Sequence, residues 1–188
     1  RDSPTLTQMI ANNGQMIPDN VHASVVLDEE ETDSLANKWA AQVDAKQLKF
    51  EFLPRQIFYS NRENGCLASV KAMLKIVMDL DPSMDPSYTE KLTNYKDELM
   101  LNGGLRDMIH VLRDDGYNKS ARESDPRVDI ITLSQLLCMD DERFLNFVKV
   151  FCGITAIKSI AQRSNLPYPL SVTAWNAMAQ LDNSGPHA

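Results

Sequence analysis

The stretch Arg143–Gln162 constrains this chain more than any other part of it. Phe144, Leu145, Phe147, Val148, Val150, Phe151, Ile154, Ile157 and Ile160 recur at spacings of three and four and cover well over half of a helical circumference. Only a narrow stripe of Asn146, Lys149, Ser159 and Arg163 stays polar. A helix apolar nearly all round needs neighbours on most of its sides. At roughly 1.5–3 kcal/mol per fully buried large side chain, these positions supply much of the hydrophobic term. The pattern therefore predicts a mainly α fold, a compact multi-helix bundle around a buried helix 143–162. Asp140, Asp141 and Glu142 crowd the positive N-terminal end of that helix. Gly153 sits mid-helix, where it costs about 1 kcal/mol relative to alanine. It marks either a bend or a close helix crossing, and the crossing is the preferred reading. Upstream, Thr132 and Gln135 have the spacing of a capping box, opening a short helix with Leu133, Leu136, Leu137 and Met139.

The remaining elements follow from similar signals. Residues 1–27, with Pro4, Gly14 and Pro18, read as an N-terminal arm with at most one helical turn around Leu6–Ile10 and a short strand or extended packing segment over Val21–Leu27. Five acids within Asp28–Asp33 suit the first turn of a helix to about Val43, with Leu35, Trp39 and Val43 on one face. Leu48, Phe50 and Phe52 alternate with Lys49 and Glu51, the period of a half-buried strand, and Pro54 closes that segment. One small β-hairpin is thus allowed. Ser60–Gly65 is a polar turn. From Cys66 a helix carries Leu67, Val70, Leu74 and Val77 on one stripe, with Met73 and Met78 beside it. Further helices span about Ser87–Met100, Leu105–Asp115 (stopped by Gly116) and Val172–Leu181, with a tail over 183–188. Residues 28–182 are expected to form a single helical domain.

Composition narrows the class. With 43% hydrophobic and 24% charged residues the chain is ordinary for a globular protein. Its formal net charge of −7 repels a polyanion at long range, though a local basic patch can still hold one. Cys66, Cys138 and Cys152 are odd in number and without paired spacing, which points to a reducing, intracellular and cytoplasmic setting rather than a structural disulfide. The sequon at Asn118 is then idle. No apolar run reaches the roughly 20 residues of a membrane span, so no membrane partner is expected. The first residue is Arg, which suggests a piece of something longer.

Few motifs carry chemistry. Asp79, Asp81, Ser83, Asp85, Ser87 and Glu90 place oxygens at positions one, three, five, seven, nine and twelve, which looks like a calcium loop of the EF-hand type. Met84 stands where that loop needs glycine, and Pro82 and Pro86 stiffen it. The reading taken is a Pro-rich turn whose acids and serines cap the flanking helices. Asp107 and His110 share a helical face, as a general base and its carboxylate do, and an exposed pair beside Arg106 and Arg113 is the simpler reading. No cysteine has the context of a nucleophile, and no metal-binding, phosphate-cradling or dinucleotide motif is present. No cofactor is implied. The loop Tyr117–Asp129 carries Lys119, Arg122 and Arg127 beside a tyrosine, with Arg106 and Arg113 upstream, a composition suited to phosphate contact and base stacking. Glu123, Asp125 and Asp129 offset that charge. Nine methionines suit an adaptable core or groove. Trp39, Tyr168 and Trp175 are candidate interface anchors.

From His110 to Trp175 the order of features is a helix, a polar loop, a helix start at Ile131–Leu136, the pattern Phe147-Val-Lys149-Val-Phe151, and a Pro-flanked segment leading to a Trp. This order is similar to that in coat proteins of flexible filamentous plant RNA viruses. The resemblance implies RNA packaging and helical self-assembly through terminal arms. Three functions are thus expected, in descending order. The first is a non-enzymatic interaction or assembly module whose partner is another protein or itself. The second is an RNA-packaging nucleocapsid or coat subunit, binding single-stranded RNA through Arg106, Arg113, Lys119, Arg122 and Arg127. The third is an enzyme with a dispersed site.

Overall fold

A computed structural model describes residues 27–59, 65–114 and 125–182, and among these the chain forms nine α-helices and no strand. They are α1 (Glu29–Asp44), α2 (Phe52–Tyr59), α3 (Gly65–Asp79), α4 (Tyr88–Leu101), α5 (Gly104–Leu112), α6 (Pro126–Cys138), α7 (Glu142–Val150), α8 (Gly153–Gln162) and α9 (Tyr168–Leu181). The mainly α expectation holds. The expectations for residues 1–26, 60–64, 115–124 and 183–188 lie outside the described residues. The chain divides into two compact units, residues 1–98 and 99–188, where one domain over 28–182 is expected.

In the first unit α1 and α2 both pack on α3. Asp28 caps α1 through a reciprocal box: Glu31 N–H donates to its Oδ1 at 2.7 Å and its own N–H donates to Glu31 Oε1 at 3.3 Å. Leu35, Trp39 and Val43 form the buried face, as their spacing predicts, and Trp39 meets the edge of Phe52 with ring centroids 5.3 Å apart. Leu67, Val70 and Met73 are buried on α3, whereas Met78 points to solvent.

The predicted hairpin is replaced by a turn and a helix. Leu48, Phe50 and Phe52 are all buried, but Leu48 N–H bonds to Gln42 O at 3.1 Å and Phe52 N–H to Lys49 O at 3.1 Å, so there is no ladder. Pro54 opens α2 rather than ending a strand. In a first helical turn its missing N–H has no intrahelical partner to lose.

In the second unit α9 packs on α6 and α8, and α5 packs on α6 and α8. Met108, Ile109, Val111 and Leu112 are inward on α5, as expected. The helix α6 begins six residues before the predicted cap. Asp125 is its N-cap, accepting from Arg127 N–H at 2.9 Å, and Pro126 is in the first turn. Thr132 and Gln135 are therefore interior: Thr132 Oγ1 donates back to Val128 O at 3.0 Å, and Gln135 Nε2 reaches Gln180 Oε1 at 2.9 Å.

The central helix 143–162 is broken. α7 and α8 meet at 71° across Phe151 and Cys152, and Cys152 takes a left-handed conformation with φ +64°. Gly153 satisfies both of its sequence readings, since it lies at the bend and in a close contact. A Cβ there would stand 2.7 Å from Val148 Cγ1, 3.0 Å from Val148 O and 3.0 Å from Ile109 Cδ1. The break also exposes what one buried rod would have covered. Phe144, Leu145, Val148, Ile157 and Ile160 are buried, Phe147, Phe151 and Ile154 are half-buried, and Val150 is 73% exposed.

Candidate functional site

α9 is the most unusual surface element. Its fourteen residues, YPLSVTAWNAMAQL, contain no charged side chain. Leu170, Ala174, Ala177 and Leu181 are buried on its inner face. Tyr168, Val172, Trp175 and Ala179 follow at steps of four, three and four, which aligns them in a second stripe on the opposite side. Tyr168 is 79% exposed and Trp175 60%, Ala179 is exposed and Val172 half-buried. The helix is thus apolar on two faces, one packed and one bare. Pro169 in its first turn places Tyr168 at the start of the helix, four residues before its predicted beginning.

The third candidate anchor is elsewhere. Trp39 is 1% exposed, closed over by its own unit, and is a core residue rather than an interface anchor. Its place on the apolar face of α1 already signalled this.

The basic residues separate into different roles. Arg127 is 1% exposed and binds Asp125 in a fork, with Nε 3.1 Å from both carboxylate oxygens and Nη2 2.7 Å from Oδ2. It is a buried structural ion, not a loop arginine turned to phosphate. Lys119 and Arg122 lie outside the described residues. Arg106 and Arg113, by contrast, meet at one place. The Arg106 guanidinium lies 5.3 Å from the centroid of the Phe151 ring. Arg113 Nη2 donates to Phe151 O and Cys152 O at 3.2 and 3.1 Å, bracing the backbone between α7 and α8, where Cys152 O also accepts from Ala156 N–H at 3.1 Å. Arg143 joins them, 5.9 Å from the Phe147 centroid, and Phe147 meets Phe151 edge-on at 5.9 Å. Arg143 was not among the predicted contacts, although its i, i+4, i+8 spacing with Phe147 and Phe151 is a readable signal. The surrounding charge also differs between units. Residues 1–98 hold ten Lys and Arg against sixteen Asp and Glu, while residues 99–188 hold nine against ten. Nearly all the net negative charge belongs to the first unit.

The acidic loop before α4 is a pair of turns. Asp81 Oδ1 accepts from Ser83 N–H and Oγ at 2.9 and 2.7 Å, and Asp85 Oδ1 accepts from Ser87 N–H and Oγ at 2.9 and 2.7 Å. Lys91 Nζ sits 2.8 Å from Asp85 Oδ2. Those bonds, Lys91 first and Ser87 next, lower the Asp85 carboxyl to about 2. Each aspartate is thus committed to its own turn. Among the described residues no three His, Cys, Asp or Glu side chains gather as a metal site. The loop borders a cleft of about 510 Å³ in the first unit, with Asp44, Lys75, Asp79 and Tyr95 among its walls. Lys75 and Asp79 are paired at 3.3 Å.

The Asp107 carboxyl is raised by burial, against the pull of Arg106 and His110, and His110 itself is exposed. Cys66 and Cys138 are buried and Cys152 is exposed. Among the described residues no single helix is long and apolar enough to cross a membrane. Comparison with protein-family models, curated proteins and solved structures finds no match.

Proposed function

We propose that this chain is a non-enzymatic, all-helical interaction or assembly module, working through the outer face of α9 and through its terminal segments. The observation that supports this is the stripe of Tyr168, Val172, Trp175 and Ala179 on a charge-free helix whose other face is already packed. Large aromatic side chains left in water cost solvation, and Trp and Tyr are the residues that most often dominate interfaces. Selection of a displayed peptide library on the folded chain tests the reading. Bound peptides should lose their hold on a Trp175→Glu variant. Peptides that bind the variant equally well, or no binders at all, would count against it.

A second reading, an RNA-packaging subunit, is supported by the cluster of Arg106, Arg113 and Arg143 with Phe147 and Phe151, in the unit that carries almost no net charge. Arginine planes next to half-exposed rings suit a single-stranded backbone with unstacked bases. A salt titration of binding to oligouridylate tests it. The slope should fall by roughly 0.7 for each arginine replaced by alanine that contacts a phosphate. An absence of binding at low salt removes this reading.

A further inference from the structure

We propose that the occupant of the α9 face is a second copy of this chain, paired through α9 in antiparallel fashion about a two-fold axis. This rests on the reading of α9 as the docking surface and names its partner. Two observations single out self-pairing. The first is electrostatic. The negative charge lies almost wholly in residues 1–98, so two copies repel each other where those residues approach. α9 is the one described helix with no charged side chain, so two copies can meet there without placing like charges in contact.

The second is the register of the stripe. A two-fold axis between positions 173 and 174 sets Tyr168 against the partner's Ala179 and Val172 against the partner's Trp175. The same operation sets Ala179 against the partner's Tyr168 and Trp175 against the partner's Val172. Every large ring then faces a smaller side chain, twice over, as ridges facing grooves require. A parallel pairing would set ring against ring and leave the small positions as voids. Asn176 and Gln180, exposed beside the stripe, supply an uncharged polar rim.

Sedimentation equilibrium of the full chain, run across a wide concentration range, should show a monomer–dimer equilibrium. Trp175→Glu should weaken the dimer by roughly thirtyfold or more, the size of an interface hot spot. Val172→Lys should weaken it too, and mixing V172K with W175E chains should restore pairing, because the introduced charges face each other only in the antiparallel register. For the same reason, Tyr168→Cys chains should form disulfides with Ala179→Cys chains more readily than with one another. All four positions are at least partly exposed, and circular dichroism of each variant is the check that it folds. A chain that is monomeric at every concentration yet captures peptides through Trp175 overturns self-pairing and leaves the module reading standing. A chain that does neither overturns both. A dimer indifferent to W175E, or one linked Tyr168 to Tyr168, overturns the proposed interface.

Discussion

Cys152 and Gly153 do opposite things at the break between α7 and α8. Cys152 holds the left-handed φ of +64°, a conformation that costs an L-residue about 1–2 kcal/mol. Gly153 has ordinary helical geometry but no room for a Cβ, because Val148 Cγ1 and the Val148 carbonyl lie 2.7 and 3.0 Å from where it would be. Cys152→Gly should therefore raise the stability of the second unit by about 1 kcal/mol. Gly153→Ala should lower it by roughly 1–3 kcal/mol, as overpacking does, although in an open helix that exchange stabilises. Urea denaturation of both variants checks the signs, and two changes of the same sign would refute the assignment. Arg127 and Arg106 make a similar contrast. Arg127→Ala leaves Asp125 without its forked partner in a buried site and should cost about 3 kcal/mol. Arg106→Ala removes a solvent-side cation–π contact and should cost less than about 1 kcal/mol. Equal losses in the same denaturation assay would contradict these roles.

At the scale of elements, the loop between α3 and α4 is held by two Asp-Pro-Ser turns and one ion pair. Asp85 is lowered, so its contribution is complete above the ordinary carboxylate value of 3.8 and is lost as pH falls toward about 2. A carbon-detected NMR titration should place its midpoint near 2. Lys91→Met should return it part of the way to 3.8, Ser87 retaining the rest. An unchanged midpoint would show that Lys91 is not the cause.

Helix positions were legible wherever apolar spacing carried the signal, as at Leu35, Trp39 and Val43 or Met108 to Leu112. They were misread wherever proline did. Pro54 reads as the close of a strand, yet Pro54, Pro126 and Pro169 each lie in a first helical turn, where the ring geometry fits and the absent N–H matters least. The start of α6 was thus placed six residues late and that of α9 four, while the strand over Leu48–Phe52 came from apolar alternation that a turn and a short helix also satisfy. The break at Cys152 was only half legible: Gly153 pointed to a bend or a close crossing, periodicity runs through it unchanged, and the packing against Val148 and Ile109 shows that it is both.

For the molecule as a whole, composition predicted the class and concealed the division. Of the net charge of −7, residues 1–98 carry −6, while residues 99–188 are nearly neutral and hold both the Arg–Phe cluster and α9. Of the candidate anchors, Tyr168 and Trp175 are exposed and Trp39 is core. Amphipathic spacing could have told these apart, since Trp39 shares a face with Leu35 and Val43 whereas Trp175 lies opposite Leu170, Ala174 and Leu181. The two tryptophans thus report separately on the interior and on the proposed docking face. Iodide quenching of the native chain across a dilution series is the most direct test. At low concentration the emission should divide into an accessible part from Trp175 and a protected part from Trp39, and the accessible part should shrink as concentration rises and copies pair. Emission wholly protected at the greatest dilution, or an accessible part that never shrinks, would contradict a bare α9 face that a second copy covers.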